Sequence, residues 1–193
     1  LQHAVYCIAL AAQTAESLAA LYPAVHREVA QVMVADSFYI ALHDEESDLV
    51  EIPYWVDQND ENPAPFRPGR SLTGYVLRTQ RSLLYRGDVD EVDITVIGTV
   101  PKVWIGAPLA VEGKVFGVIA TWHYTDAEAY TDRDRQVWEF VASQVATAIS
   151  RKQAEIALRE AGYAMIVANT HYEEDREAEI MAFMRERAVD GLL

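Results

Sequence analysis

The side chains most often used in catalysis and metal binding are few in this chain and do not form recognisable sets. A single cysteine, Cys7, excludes an intrachain disulfide and any site built from several cysteines. No pair of histidines shows metal-ligand spacing on one helix: the histidines are His3, His26, His43, His123 and His171. No Ser/His/Asp order or glycine-rich phosphate loop stands out. We therefore predict that the chain is not an enzyme.

Two groups of polar side chains have a simpler explanation than a metal site. Asp57, Asp60 and Glu61 carry oxygen atoms that suit a cation, yet they fall in a proline-rich stretch typical of a solvated surface loop. His43 and His123 lie near the ends of predicted strands, where an exposed imidazole is expected more often than a haem or metal ligand. We predict no metal site and identify no cofactor.

The aromatic side chains lie in segments that the pattern assigns to strands. Residues 103–124 contain two apolar runs on either side of a Glu-Gly-Lys turn at 112–114, which predicts a β-hairpin. Residues 37–43 alternate large apolar and other side chains, and 49–56 form a second β-rich run after a polar turn. A short strand is predicted at 83–85. These strands must position any site that the aromatic residues form.

Helical patterns surround these strands. The spacing predicts a helix over residues 2–21 with an alanine-rich stripe, a break at Pro23, and a second helix over 24–33. Ser71 is placed to cap a short helix at 72–79. Thr131 and Asp134 form a helix-start signal before a long helix from Asp132 past residue 151. Its apolar side is predicted to carry Val137, Phe140, Val141, Val145, Ala148 and Ile149.

Composition narrows the classes of partner. The formal net charge is -14, from 30 acidic and 16 basic side chains in 193 residues, so the overall field repels nucleic acid and anionic lipid. No apolar run approaches the roughly 20 residues of a membrane helix. The start of the chain lacks a basic secretory signal. We expect a cytoplasmic fragment of a longer protein without direct nucleic-acid or membrane contact.

Four pieces of the sequence resemble the GAF family of small-molecule sensor domains. They are SFYIAL at 37–42, GRSLTGYVL at 69–77, the hairpin with its GAPL and FGVI runs, and EFVASQVATAI at 139–149. The likeness covers about residues 18–152. It implies an α/β (α+β) fold with a central antiparallel sheet, the N- and C-terminal helices on one face, and a ligand pocket on the other.

The resemblance also implies which side chains border the pocket. Strand alternation directs Phe38, Ile40, Leu42, Ile105, Ala107 and Leu109 to the helices, so their neighbours face the pocket. Likeness to bilin-binding members adds two residues of the last strand. The predicted ligand-binding set is Tyr39, Ala41, Tyr54, Trp55, Thr73, Tyr75, Trp104, Gly106, Ala120 and Trp122. Aromatic rings would give flat apolar contact, and their hydroxyl and indole groups a few orienting hydrogen bonds. The alternative is that the rings only fill a core.

Specialised members of the family differ from this sequence. The residues that mark the cyclic-nucleotide-binding subgroup cannot be assembled here, and phytochrome-type attachment needs a cysteine near the chromophore, whereas Cys7 precedes the core. Members that reduce free methionine sulfoxide use several cysteines, and one thiol cannot complete that cycle. The ligand is therefore an unknown small organic molecule.

The last part of the chain differs in character. We divide the chain into a GAF-like sensory domain at 1–152 and a helix extension with a strand-helix-strand fragment at 153–193. Residues 159–193 resemble a fragment of the sugar-binding domain of LacI-type transcription regulators. Such a fragment alone buries too little area to be stable.

The sequence therefore predicts a small-molecule-sensing regulatory domain of a bacterial signalling protein, such as a two-component system. It would form a homodimer through its terminal helices and signal to an output domain outside this chain. Two alternatives stay open. One is a ligand-free structural module for dimerisation and transmission, and the other is a fragment of a LacI-like regulator.

Overall fold

The fold is taken from a computed structural model in which residues 2–87, 94, 96 and 98–160 are described. The chain divides into two units, Leu1–Ala157 and Leu158–Leu193. The predicted strand-helix-strand fragment lies outside the described residues, as do residues 92, 93, 95 and 97. In the described part of the chain, no helix combines the length and apolar character that crossing a bilayer requires.

Five strands form the centre of the first unit: β1 (Ser37–Asp44), β2 (Leu49–Val56), β3 (Leu83–Tyr85), β4 (Val103–Val111) and β5 (Lys114–His123). They make an antiparallel sheet in the order β2-β1-β5-β4-β3. The β4–β5 turn uses Glu112 and Gly113, whose φ values of 54° and 81° suit a two-residue hairpin turn. Both predicted hairpins and the short strand are confirmed.

Four helices accompany the sheet in the described residues: α1 (Gln2–Thr14), α2 (Leu18–Val29), α3 (Leu72–Thr79) and α4 (Asp132–Glu160). Ser71 caps α3 by accepting a hydrogen bond from the backbone N–H of Gly74 at 3.0 Å. Thr131 and Asp134 exchange side-chain and backbone hydrogen bonds in front of α4, with Thr131 N donating to Asp134 Oδ2 at 2.7 Å. Both predicted helix starts are confirmed.

The predicted boundary between the first two helices is wrong. The chain leaves helical conformation before Ser17, which caps α2 by accepting from the N–H of Ala20 at 3.2 Å. Pro23 lies inside α2 instead of ending it. Proline removes one hydrogen bond in this helix, but Leu21 and Val25 on either side of it are fully buried. Tertiary packing therefore outweighs the local cost of the proline.

The sheet separates two apolar clusters. On one face Phe38, Ile40, Ile105, Ala107 and Leu109 pack with side chains of α1, α2 and α4, and Leu42 packs at the edge of this cluster. The predicted direction of these six side chains is confirmed. On α4, however, Trp138 is fully buried and Phe140 is 46% exposed. Phe140 was predicted on the apolar side of this helix, and that placement is wrong.

Candidate functional site

Aromatic side chains from three adjacent strands meet on the sheet face opposite α1, α2 and α4. Tyr39 on β1 is the direct partner of Trp55 on β2, and Trp122 comes from β5 on the other side of β1. Ring centroids are 5.8 Å apart for Tyr39 and Trp55, 5.6 Å for Tyr39 and Trp122, and 5.1 Å for Trp55 and Trp122. These are distances of packed rings. The three side chains, here called the aromatic wall, therefore form a continuous surface.

A cavity of about 100 Å³ lies beside the aromatic wall. Thr73, Trp104 and Trp122 line its buried part, and Glu61 and Thr99 lie at its exposed rim. A cavity of about 150 Å³ is known to hold benzene. The enclosed space therefore suits a group somewhat smaller than a benzene ring, and the open rim allows the rest of a molecule to extend into solvent.

Polar groups of Tyr39 and Trp55 in the wall, and of Tyr124 beside it, are engaged within the protein. The Tyr39 hydroxyl lies 2.8 Å from Thr73 Oγ1, and Trp55 Nε1 donates to the backbone oxygen of Asp60 at 3.1 Å. Tyr124, at the end of β5, donates its hydroxyl proton to Asp57 Oδ2 at 2.7 Å. Burial raises the pKa of Tyr39. The pKa of Tyr124 is raised mainly by burial and, to a smaller extent, by its hydrogen bond to the Asp57 carboxylate. These phenols are therefore neutral at physiological pH, and the wall offers mainly ring surfaces to a ligand.

Asp60 ties together two loops at the rim. Its carboxylate accepts from Thr99 N at 2.7 Å and from Thr99 Oγ1 at 3.0 Å. Gly98 makes this approach possible, because a Cβ there would lie 2.7 Å from Asp60 Oδ2 and its φ of 82° disfavours other residues. Asp57 accepts from the backbone N–H of Asp60 at 3.0 Å and thereby holds the loop after β2. These two carboxylates thus keep the opening of the cavity in a defined shape.

Helix α3 brings Thr73 over the sheet. The helix approaches the preceding loop so closely that a Cβ at Gly74 would lie 2.4 Å from the carbonyl oxygen of Pro68. A glycine is therefore required at this position. Leu72 and Val76 of the same helix are buried in the cluster that includes Tyr39 and Trp104. The short helix is thus fixed as one side of the cavity.

The structure places five of the ten predicted site residues around the cavity: Tyr39, Trp55, Thr73, Trp104 and Trp122. Ala41 and Ala120 point to the same face, but they lie within the apolar cluster and do not line the cavity. Gly106 is covered by the Trp104 ring, because a Cβ there would lie 2.1 Å from Trp104 Cη2. Gly106 therefore accommodates a neighbouring ring and does not open space for a ligand.

Two predicted wall residues face elsewhere. Tyr54 pairs with Ile40 and packs on the helix side of the sheet, with its hydroxyl oxygen 3.0 Å from Nδ1 of His26 on α2. Adjacent strand residues point to opposite faces, so Tyr54 and Trp55 cannot both border the cavity. Tyr75 lines a separate groove that also includes Ser82 and Pro108. The predicted positions of Tyr54 and Tyr75 at the pocket are therefore wrong.

Several lining residues were absent from the sequence prediction. Phe66 reaches the cavity because the loop pairs with β2 through an isolated bridge, with Val50 N donating to Phe66 O at 2.7 Å. No local pattern signals such a bridge. Strand parity could have identified Tyr124, which lies two residues after Trp122. The other lining residues outside the prediction include Ile52, Asp60, Glu61, Leu72 and Thr99.

The described residues contain no group of three or more His, Cys, Asp or Glu side chains arranged to hold a metal ion. Asp57 and Asp60 use their carboxylate oxygens to accept hydrogen bonds from protein donors. His43 Nε2 lies 3.2 Å from Asp48 Oδ1, and His123 Nδ1 accepts from the N–H of Asp126 at 3.0 Å. Cys7 lies in α1, and the residues that line the cavity do not include it.

A central antiparallel sheet with helices on one face and an aromatic cavity on the other defines the fold class of this domain as α/β with a GAF-like architecture. The GAF domain family model matches residues 15–150, and the chain belongs to this family. No curated protein matches the chain. The predicted likeness of residues 159–193 to LacI-type regulators finds no support in these comparisons, since the family match ends at residue 150.

Solved structures share the fold at low sequence identity. The GAF domain of an Acinetobacter phosphoenolpyruvate-protein phosphotransferase is 16% identical, with a TM-score of 0.66 over 79% of this chain and 94% of that one. Residues 122 to 287 of a methyl-accepting chemotaxis protein are 15% identical, with a TM-score of 0.65 over 78% and 99%. A free methionine-R-sulfoxide reductase from Neisseria meningitidis, in complex with its substrate, is 12% identical, with a TM-score of 0.66 over 80% and 90%. At these identities the likeness concerns the fold alone.

Proposed function

We propose that this chain is the small-molecule-sensing domain of a bacterial signal-transduction protein, and that it signals through its terminal helices to an output domain outside this chain. The observation that carries the proposal is the aromatic cavity on the sheet face opposite those helices. A regulatory or sensory role is typical of GAF domains, which supports this assignment. We propose no catalytic activity, because the single thiol lies away from the cavity.

The central strands provide a physical route from ligand to helix. Tyr39 in the aromatic wall lies between Phe38 and Ile40, which point to the helix side. The Phe38 ring meets the Trp138 ring of α4 edge-on at 6.3 Å, and Trp138 Nε1 donates to the carbonyl oxygen of Ile119 on β5 at 3.2 Å. A ligand that displaces the wall would therefore change the packing under α4. About 1–3 kcal/mol of differential affinity between two packings is enough for such coupling.

Dimerisation through the terminal helices is part of the same proposal. Tyr6 and Leu10 of α1 are 65% and 44% exposed, and Phe140 of α4 is 46% exposed. Tyr6 and Leu10 are four positions apart, so they share one face of their helix. Large apolar side chains at such positions favour contact with a second copy of the chain.

A ligand-free structural module remains the second candidate. It is favoured by the tight packing of the aromatic wall and by the internal hydrogen bonds of Tyr39 and Trp55. In that case the rings only stabilise the fold, and the signal enters through another part of the full protein.

Thermal melting with a panel of metabolites distinguishes the two candidates. A ligand at 100 times its dissociation constant should add about 2.7 kcal/mol to the free energy of unfolding. The Trp55→Leu variant should lose this ligand-dependent shift. The matched Tyr54→Leu variant, changed at the adjacent residue on the opposite face, should keep it. If no compound raises the melting temperature, the structural module is correct.

A further inference from the structure

The charged side chains at the cavity are all negative. Asp60 and Glu61 are its charged lining residues, and no lysine, arginine or histidine joins them among the described residues. The Asp57 carboxylate accepts a hydrogen bond from the hydroxyl of Tyr124, which also lines the cavity. The chain as a whole carries a formal charge of -14, so the long-range field adds to the local one. The electrostatic potential in the cavity therefore favours a cation over an anion.

Hydrogen-bond donors of Trp55 in the wall, and of Tyr124 beside it, are also used within the protein. Trp55 Nε1 donates to Asp60, Tyr124 donates to Asp57, and the Tyr39 hydroxyl is paired with Thr73. A carboxylate or phosphate ligand would need such donors to replace its hydration shell. The buried part of the cavity therefore presents chiefly the faces and edges of aromatic rings to a ligand. The face of an aromatic ring carries partial negative charge and attracts cations.

From these two observations we propose that the site binds a small organic cation whose charge is spread over alkyl groups, such as a methylated ammonium group. This inference rests on the sensing function proposed above and specifies its ligand class. A methylated ammonium is more weakly hydrated than a primary ammonium, so it loses less hydration free energy when it enters an apolar cavity. Its positive charge is attracted by the rings, and its methyl groups make apolar contacts with them.

The size of the cavity determines how the cation lies. The ring centroids of the aromatic wall are 5.1–5.8 Å apart, which leaves no room for a group between the rings. A trimethylammonium group is at least as large as a benzene ring, so the cation lies against the wall at the open side of the cavity of about 100 Å³ and enters it only in part. The remainder of the ligand extends toward Glu61 at the exposed rim.

A pair of molecules that differ in charge but hardly in shape tests the inference. Choline and 3,3-dimethylbutan-1-ol have the same skeleton, with nitrogen replaced by carbon in the neutral compound. Isothermal titration of the full chain should show that choline binds at least about tenfold more tightly than the alcohol. The anion 3,3-dimethylbutanoate should bind more weakly than either compound.

Variants separate the roles of charge and ring. Glu61→Gln should weaken choline binding by about two- to fivefold at low salt, because a rim carboxylate acts through solvent. The affinity for the neutral alcohol should fall less than that for choline. Glu112→Gln, at the β4–β5 turn, is the matched control and should alter neither affinity. Trp55→Leu should abolish the preference for choline.

The outcomes distinguish this inference from the function on which it rests. If the alcohol or the anion binds as tightly as choline, and Trp55→Leu removes that binding, the cation inference is overturned while the sensing function stands. If neither choline nor the alcohol binds at millimolar concentration, the cation inference is also overturned. The melting experiment with the metabolite panel then decides independently whether the cavity binds any molecule.

Discussion

Tyr39 and Thr73 show how a single pair of side chains can hold the site together. Tyr39 belongs to a central strand and Thr73 to α3, and their oxygen atoms are 2.8 Å apart in a buried environment. A buried hydroxyl that loses its partner costs more than the hydrogen bond contributes, because its desolvation is no longer offset. The pair therefore fixes the short helix over the sheet.

The losses of stability caused by removing the two hydroxyl groups should not be additive. Tyr39→Phe and Thr73→Val should each lower the free energy of unfolding by about 1–2 kcal/mol. The double variant should lose clearly less than the sum, since no hydroxyl of the pair is then left without its partner. Urea denaturation followed by tryptophan fluorescence measures these values. Additivity within about 0.5 kcal/mol would show that the two groups act independently.

Strand alternation was enough to predict the direction of three of the candidate residues. Tyr39, Trp104 and Trp122 point to the cavity side because their neighbours are needed in the core beneath the helices. Tyr54 was misplaced because two adjacent residues were assigned to one face. The β1–β2 register also shifts between Ile40 and Leu42, which a sequence pattern does not reveal. Phe66 depends on long-range pairing of a loop, so no local signal exists for it.

At the scale of secondary-structure elements, turn and cap residues made the fold predictable. The Glu-Gly turn defined the β4–β5 hairpin, and Ser71 and Thr131 defined the starts of α3 and α4. The α1–α2 boundary was missed because alanine-rich helical spacing continues through it, while Ser17 supplies a cap that local periodicity hides. Pro23 misled the prediction because burial of its neighbours outweighs its helix-breaking tendency.

The start of α4 offers a test at this scale. Thr131 Oγ1 accepts from the N–H of Asp134, and Thr131 N donates to the Asp134 carboxylate. Thr131→Ala should therefore lower the free energy of unfolding by about 1 kcal/mol. Thr131→Ser preserves the hydroxyl and should remain close to the wild type. Chemical denaturation compares the three proteins, and an alanine variant as stable as the serine variant would contradict the capping role.

At the scale of the whole molecule, both faces of the sheet carry packed side chains from the same strands. One face packs under the terminal helices, and the other carries the aromatic wall. A domain built in this way cannot change the packing on one side without affecting the other, because neighbouring residues of a strand point in opposite directions. These shared strands are the physical basis of the proposed signal.

The contacts of Lys152 allow the end of the first unit to be tested by experiment. The side chain of this lysine is only 2% exposed, and Nζ lies 2.6 Å from Glu155 Oε2. The boundary predicted at 152 would divide this pair, and the first unit runs to Ala157. A chain that ends at 152 lacks Glu155 and leaves a buried ammonium without this partner. It should be about 2 kcal/mol less stable than a chain that ends at 157.

Thermal and urea unfolding of the two chains measure the difference, and Lys152→Met should reduce it because no charge then needs Glu155. Equal stability of the two unsubstituted chains would place the boundary at 152 after all.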